Sequence, residues 1–324
     1  MRIVALASLA FAAVSGTDSA LAQAYPSRPI TIICPFPGGS PVDTIARIVS
    51  ERMKVSLGQP FVIENVTGAG GTIGVARATR AAPDGYTVSL GNFSSHVIAG
   101  AVYPVQYDAL KDLDPVALLA SNPQIIVSTN AFPAGGLQDL VAWLRANPGK
   151  ASAGTAGPGS ISHVAGVFFQ KATNTQFQFV PYRGVNQAQL DLIGGRIDLM
   201  FDQAASAVPS VRAGKVTAHA VTSRSRLPSA PDIPTVEEAG MPGLVMSVWS
   251  ALWLPKGTPK DIIAKFNAAA MEATADPTVR NRLSEFGLDV PPDDQQTPEA
   301  LATLHKSEIE KWWPIVKAAS IKID

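Results

Sequence analysis

Three glycine-rich turns carry the residues of this chain best suited to meet a charged small molecule, and each follows an apolar stretch and opens a helical one. The first is Pro35-Phe36-Pro37-Gly38-Gly39-Ser40-Pro41-Val42-Asp43. Ser40 stands as an N-cap, Pro41 at the first helical position and Asp43 three residues after the cap, a capping box with Asp in place of the commoner Glu. A helix start offers unpaired N–H groups and the positive end of the dipole, both suited to an anion. Two compatible readings stand for this turn. It is a well-made helix start, or it is a ligand contact in which the N–H groups of Gly39 and Ser40 face the ligand while Asp43 braces the loop.

The other two turns repeat the theme. Gly154-Thr155-Ala156-Gly157-Pro158-Gly159-Ser160-Ile161-Ser162-His163 has Ser160 as its N-cap, with Ser162 and His163 in the first helical turn, off the apolar face. His163 reads either as a surface or capping residue or as a ligand contact beside an anion-ready helix start. Thr67-Gly68-Ala69-Gly70-Gly71-Thr72-Ile73-Gly74 comes close to the dinucleotide fingerprint and fails it. Gly68 and Gly70 match G-x-G, but Ile73 holds the third glycine position. The next strand ends in Gly91-Asn92, where an acidic residue belongs. Its glycines serve tight turns and close backbone approach.

Other chemistries lack their parts. The chain has four His and one Cys, without H-x-x-x-H or C-x-x-C spacing, so no metal centre and no cofactor is expected. There is no G-x-S-x-G elbow. Ser94-Ser95-His96 follows a strand, but sequence proximity of Ser and His is weak ground for a triad, and these residues read as lining of a cleft. Cys34, inside the apolar run Ile30–Cys34, reads as a buried strand residue.

Alternating strand and helix segments position these turns. Ile30–Cys34, helix Val42–Leu57, Phe61–Glu64, helix Thr72–Ala81 and Tyr86–Leu90 make a βαβαβ series, which implies a parallel sheet covered by helices. Val116–Ala120 and Gln124–Val127 read as short strands separated by Asn122-Pro123, a crossing into a second lobe. There Leu137–Ala146, Ser160–Thr173, Asn186–Ile193 and Ala204–Arg212 read as helices. Ala151–Ala153, Phe177–Val180, Ile197–Phe201 and Thr217–Val221 read as strands. Ser223–Pro234 links back to strand Val245–Leu254 and three helices, Lys260–Ala275, Pro277–Phe286 and Pro298–Ala319, expected to pack on the first lobe. The expected division is residues 25–122 with 223–324 as lobe I and 123–222 as lobe II, hinged around a cleft.

Composition agrees with an exported two-lobed chain. Its 324 residues are enough for two domains, and 46% apolar residues suit a packed core. Lys+Arg and Asp+Glu are both 26, which gives no support to a nucleic-acid or membrane-surface role. Arg2, the apolar run Ile3–Val14 and the small residues Ala20, Ala22 and Ala24 resemble a signal peptide over residues 1–24, with cleavage before Gln23 or before Tyr25.

The motifs together resemble the solute-binding proteins of tripartite tricarboxylate transporters, the Bug family. The resemblance rests on Pro35-Phe36, Gly39, Asp43 and Ala46-Arg47, then Leu57-Gly58-Gln59, Glu64-Asn65 and Gly68-Ala69-Gly70-Gly71. It continues through Pro83-Asp84-Gly85-Tyr86-Thr87, Gly157-Pro158-Gly159-Ser160 with His163, and Val180-Pro181-Tyr182-Arg183-Gly184. Gly194-Gly195-x-Ile197-Asp198, Pro234-Thr235-x-x-Glu238-Ala239-Gly240 and Pro255-x-Gly257-Thr258-Pro259 complete it. The resemblance implies a type II periplasmic-binding-protein fold, two α/β lobes with a hinge and an interlobe cleft. It implies capture of a small organic carboxylate and delivery to transporter components in the membrane, by a periplasmic chain expected to be a monomer.

Carried over, the resemblance points to Phe36, Gly39 and Ser40, to Gly159, Ser160 and His163, and to the Tyr182–Gln187 loop with Arg183, Gly184 and Asn186; Thr155 is a further expected lining residue. Gly70, Asn92, Ser94 and His96 complete the expected lining, with Asp43, Arg183 and Asp202 as its charged members. Ser40 departs from the family's usual Gly-Gly-Pro-Val-Asp, standing where the second glycine falls. A ligand sensor presenting a carboxylate to a signalling partner has the same fold, and a hydrolase using His96 or His163 is the enzymatic alternative.

Overall fold

In the computed structural model, which describes residues 25–318, the β-branched run Ile30–Cys34 is a strand (β1) buried along almost its whole length. Helix α1 (Pro41–Leu57) follows and stops at Gly58, whose φ of +70° is the left-handed conformation glycine adopts without strain. Then come β2 (Phe61–Asn65), α2 (Thr72–Thr79) and β3 (Thr87–Asn92), with β1 parallel to both strands. After β3 the chain makes a π-helical turn, Ser94–Ile98, and a short helix α3 (Ala99–Val102). Periodicity had no purchase on these nine residues, which are too few to show a repeat.

The two short strands expected around Asn122-Pro123 are one strand of 16 residues, β4 (Leu113–Ser128). Its first part pairs antiparallel with β9 (Ser247–Pro255) up to Pro123↔Ser247. From Gln124↔Gln203 onward it pairs with β7 (Leu199–Gln203) and with β8 (Thr217–Val221). Pro123, which has no N–H to give to a ladder, sits where β4 exchanges one set of partners for the other.

The second half holds α4 (Leu137–Ala146), β5 (Ser152–Thr155), α5 (Ile161–Thr173), β6 (Gln178–Pro181), α6 (Val185–Ile193), β7, α7 (Ala204–Arg212) and β8. Strand order is β2-β1-β3-β9-β4 in the first half and β6-β5-β7-β4-β8 in the second. Both follow one plan: a βαβαβ unit orders its strands 2-1-3, and a long strand arriving from the other half lies beside the third. The tail, α8 (Lys260–Ala275), α9 (Pro277–Glu285) and α10 (Pro298–Ala318), packs as expected on the first half, α8 against α1 and α10 against β4 and the π turn.

Two helices run on the same side of β4. On the first sheet Ala120, Leu90 and Leu252 pack with Ile45 and Val49 of α1. On the second, Ile126 and Phe201 pack with Val164 and Phe168 of α5. Residues two apart in a strand share a face, so Ala120, Asn122, Gln124 and Ile126 carry that side of β4 through the exchange point. Because α1 directly follows β1 and α5 directly follows β5, both helices begin at the carboxyl edge of their sheets, the place where open α/β sheets bind ligands.

Candidate functional site

The lobe I turn is tied to its own helix. Gly39, at φ +79°, donates its N–H to Asp43 Oδ2 at 2.8 Å, and Ser40 donates its N–H to Pro37 O at 3.2 Å. The expectation that these two N–H groups face a ligand is thus corrected: the brace that orders the loop consumes them. What the turn presents is the Ser40 hydroxyl, which accepts the Asp43 N–H at 3.3 Å and keeps its proton to donate, together with half-buried Phe36. Ser40 has φ −68°, so the position does not need the glycine found in the family motif.

Asp43 is not a free ligand contact. The buried carboxylate accepts from Gly39, from Asn65 Nδ2 at 3.0 Å, and from Arg47 through Nε and Nη2 at 2.9 and 3.0 Å. Burial alone pushes an acid up, but Arg47 and these donors outweigh it and hold Asp43 at about 2.

The lobe II turn is built alike with a neutral brace. Gly159, at φ +73°, donates its N–H to His163 Nδ1 at 3.1 Å, and the His163 N–H donates to Ser160 Oγ at 3.4 Å. Accepting through Nδ1 leaves the ring proton on Nε2. Burial lowers the imidazole below its ordinary value, so it is uncharged at neutral pH, and the ring stands edge-on to Phe179 with centroids 4.6 Å apart. Among the described residues nothing accepts the N–H groups of Ile161 and Ser162. Thr155, at the end of β5, is buried and takes the Gly157 N–H at 3.3 Å.

The loop after β6 adds exposed groups. Arg183 and Asn186 are exposed, and Arg183 makes no hydrogen bond or ion pair among the described residues. Tyr182 OH donates to Asp191 Oδ2 at 2.8 Å, and Gly184 lies in ordinary extended backbone at φ −175°. Gly70, at φ +65°, lies against the Tyr103 ring, where a Cβ would come within 2.6 Å of Cε2.

Two expected lining residues, His96 and Asp202, are placed elsewhere. His96 is buried and stacked on Trp253 at 3.9 Å. Its Nδ1 meets Ser95 Oγ at 2.9 Å and its Nε2 meets Ser89 Oγ at 3.2 Å. The ring presses so closely on Gly91 that a Cβ there would lie 2.1 Å from Cε1. This Ser–His pair is held in core packing against Trp253, and burial holds His96 well below its ordinary value. Asn92 is buried too, and its Oδ1 caps the π turn through the Ser95 N–H at 3.1 Å; Ser94 is half-buried. Asp202 points away from α5, because Phe201 and Gln203 hold the α5 face and alternation sends Asp202 beneath α6 and α7. There Gln189 Nε2 donates to it at 3.0 Å and Ser206 Oγ donates to its other oxygen. Burial pushes Asp202 up to about 6.

Sequence reasoning missed Gln203, Asn122 and Gln124. Gln203 ends β7 half-buried at the sheet edge, while Asn122 and Gln124 lie buried in β4 on either side of its change of partners. The available signal was two amide side chains, Asn122 and Gln124, two residues apart between the apolar runs Val116–Ala120 and Ile125–Val127.

Cys34 is buried, and desolvation pushes its thiol up to about 11, which leaves it unreactive at neutral pH. Among the described residues no group of three or more His, Cys, Asp or Glu is placed to hold a metal ion, and no helix is long and apolar enough to cross a membrane.

Two sheets of one plan, exchanging long strands and opening a braced helix at each facing edge, define a two-lobed solute-binding protein. Residues 45–321 match the family model described as tripartite tricarboxylate transporter family receptor, and the chain belongs to that family. A UPF0065 protein from the TAR-I ttuE-ttuC' intergenic region of Agrobacterium vitis is 39% identical over 298 residues, 92% of this chain and 86% of that protein. The malate-bound structure of MatC from Rhodopseudomonas palustris is 38% identical with a TM-score of 0.74, covering 90% of this chain and 100% of that one. An adipate-bound protein of R. palustris is 29% identical with a TM-score of 0.76, covering 92% and 99%.

Proposed function

We propose that this chain captures a small organic carboxylate between its two braced helix starts and hands it to the membrane components of a tripartite tricarboxylate transporter. The observation that carries this reading is the contrast between the two braces. The lobe II start has free N–H groups at Ile161 and Ser162, the Ser160 hydroxyl, His163 Nε2–H and no carboxylate, so it is the anion end. The lobe I start holds an Asp43–Arg47 pair and offers hydroxyl and aromatic contacts. Malate and adipate in the similar structures support a carboxylate ligand.

The protein acts by binding and not by chemistry, as a monomer in the periplasm. Lobe I is residues 25–122 with 223–324 and lobe II is residues 123–222; Arg183 and Asn186 close over the ligand from lobe II. The export segment, residues 1–24, lies outside the described residues. N-terminal sequencing of periplasmic material is expected to begin at Gln23 or Tyr25, and material beginning at Met1 would count against export.

A thermal-shift screen of mono- and dicarboxylates, malate and adipate included, tests the binding. A ligand that binds only the folded state at 100 times its Kd adds about 2.7 kcal/mol to apparent stability. Carboxylates should raise Tm while their amides leave it unchanged. Equal shifts from acid and amide, or none from any acid, would overturn the reading.

A further inference from the structure

Asn122 and Gln124 are 3% and 0% exposed, and all four of their carboxamide atoms lack a hydrogen-bond partner in the protein. Buried amides are nearly always paired, because an unpaired one forfeits its hydration without return. Two such side chains together therefore point to a partner that arrives from outside the fold.

Their place in the sheet says where it arrives. Asn122 pairs with Val248 and Gln124 with Gln203, one on each side of the point where β4 changes sheets. Two residues apart, they share the side of the strand on which α1 and α5 run. In the first sheet that row continues through Ala120 to Ser250 and Asn92, at the edge where the lobe I turn begins. In the second, Gln203 marks the edge where β7 ends. Both amides thus lie on one side of β4, at the point where it passes from one sheet to the other.

We propose that Asn122 and Gln124 form the base of the ligand cleft and hydrogen-bond a hydroxyl of the bound carboxylate, so that the site prefers hydroxycarboxylates to their deoxy counterparts. This rests on the carboxylate-binding reading above and names its ligand class. A carboxamide carries an acceptor oxygen and an N–H2 donor without net charge. A hydroxyl gives its proton to one amide oxygen and accepts from the other amide's N–H. A second carboxylate has acceptors only, so both amide oxygens stay unpaired. A methylene leaves all four atoms unpaired, and sites built to pair a hydroxyl reject analogues that lack it.

The test is calorimetric titration of the mature protein with three pairs that span length and aromaticity: malate and succinate, lactate and propionate, mandelate and phenylacetate. In each pair that binds, the hydroxy acid should be tighter by at least ~10-fold. Gln124→Leu and Asn122→Leu keep side-chain volume while removing the polar atoms. Each should shrink that preference to about twofold or less without lowering the Tm of the free protein, since no protein hydrogen bond is lost. Should a leucine variant fail to fold, Asn122→Ser and the wild-type ratios decide the matter. Equal affinity within the pairs overturns this inference alone, water then being the amides' partner. A leucine variant that loses Tm but keeps the preference assigns the amides a structural role and also overturns it. Failure of every carboxylate to bind overturns the binding reading and this inference with it.

Discussion

Asp43 and His163 occupy equivalent positions in the two halves of the molecule. Each lies three residues after an N-cap serine, gives its own N–H to that serine and accepts the N–H of the glycine before it, at 2.8 Å for Asp43 and 3.1 Å for His163. One brace is an anion paired with Arg47 and the other is a neutral imidazole. The local geometry is shared, and the charge at each helix start is what differs.

His163→Asp therefore separates bracing from ligand charge. Aspartate can accept the Gly159 N–H as Asp43 accepts that of Gly39, so the variant should fold with little change in Tm. It places a negative charge beside the Ile161 and Ser162 N–H groups, and carboxylate affinity should fall by about tenfold to a hundredfold, roughly 1–3 kcal/mol. His163→Asn, neutral and still an acceptor, should retain most of the affinity. Titration calorimetry with a confirmed ligand measures both, and an aspartate variant that binds as tightly as wild type would place the carboxylate elsewhere.

Asp43 should govern acid stability of the lobe I turn. Its folded value, about 2, lies below the ordinary 3.8, so its contribution is fully present above about 4 and is lost as pH falls through about 2. Asp43→Asn leaves amide hydrogens facing Arg47 and Asn65 and should cost about 2 kcal/mol at pH 7. Urea unfolding of both proteins at pH 7 and pH 2.5 should show the gap narrowing in acid.

Asp202 has the opposite sign. Its folded value of about 6 lies above 3.8, so the folded state holds the proton more tightly than the unfolded chain. The stability it lends is present below about pH 4 and is lost as pH rises through about 6, to a total on the order of 3 kcal/mol. Asp202→Asn, neutral throughout, should gain on wild type as pH rises from 4 to 7 and level off above that. Parallel stability curves for the two proteins would show that the carboxyl is not shifted.

The two N-cap serines should respond differently to small changes. Ser160→Ala removes the acceptor of the His163 N–H and should cost about 1 kcal/mol with or without ligand. Ser40→Gly restores the family's glycine at an N-cap, where the exchange costs only a few tenths of a kcal/mol. Thermal melts of the two variants side by side check the order.

Much of this architecture was legible from residue order. Helices Leu137–Ala146, Ala204–Arg212 and Lys260–Ala275 and strands Ile30–Cys34 and Thr217–Val221 fall where periodicity, caps and turn residues put them. The capping serines were legible for the same reason, since an N-cap is decided within four residues. The π turn after β3 was not, because its conformation rests on Asn92, Ser95 and a ring stacked on Trp253, more than 150 positions away in sequence.

The sequence by itself determined where the strand–turn–helix units lie and which turns are braced, because those depend on neighbours along the chain. Only the tertiary structure decided which face of its sheet each side chain takes. The sequence points Asp202 to the cleft, whereas it lies beneath α6 and α7, because pairing of β7 with β4 sets which face its alternate residues take. Asn122 reads from sequence as part of a crossing and Gln124 as the start of a separate short strand, whereas β9 from one side and β7 from the other make their segment a single strand with both amides on one face. Facing is a property of strand pairing between residues far apart in sequence, and a one-residue change of register reverses it for every side chain.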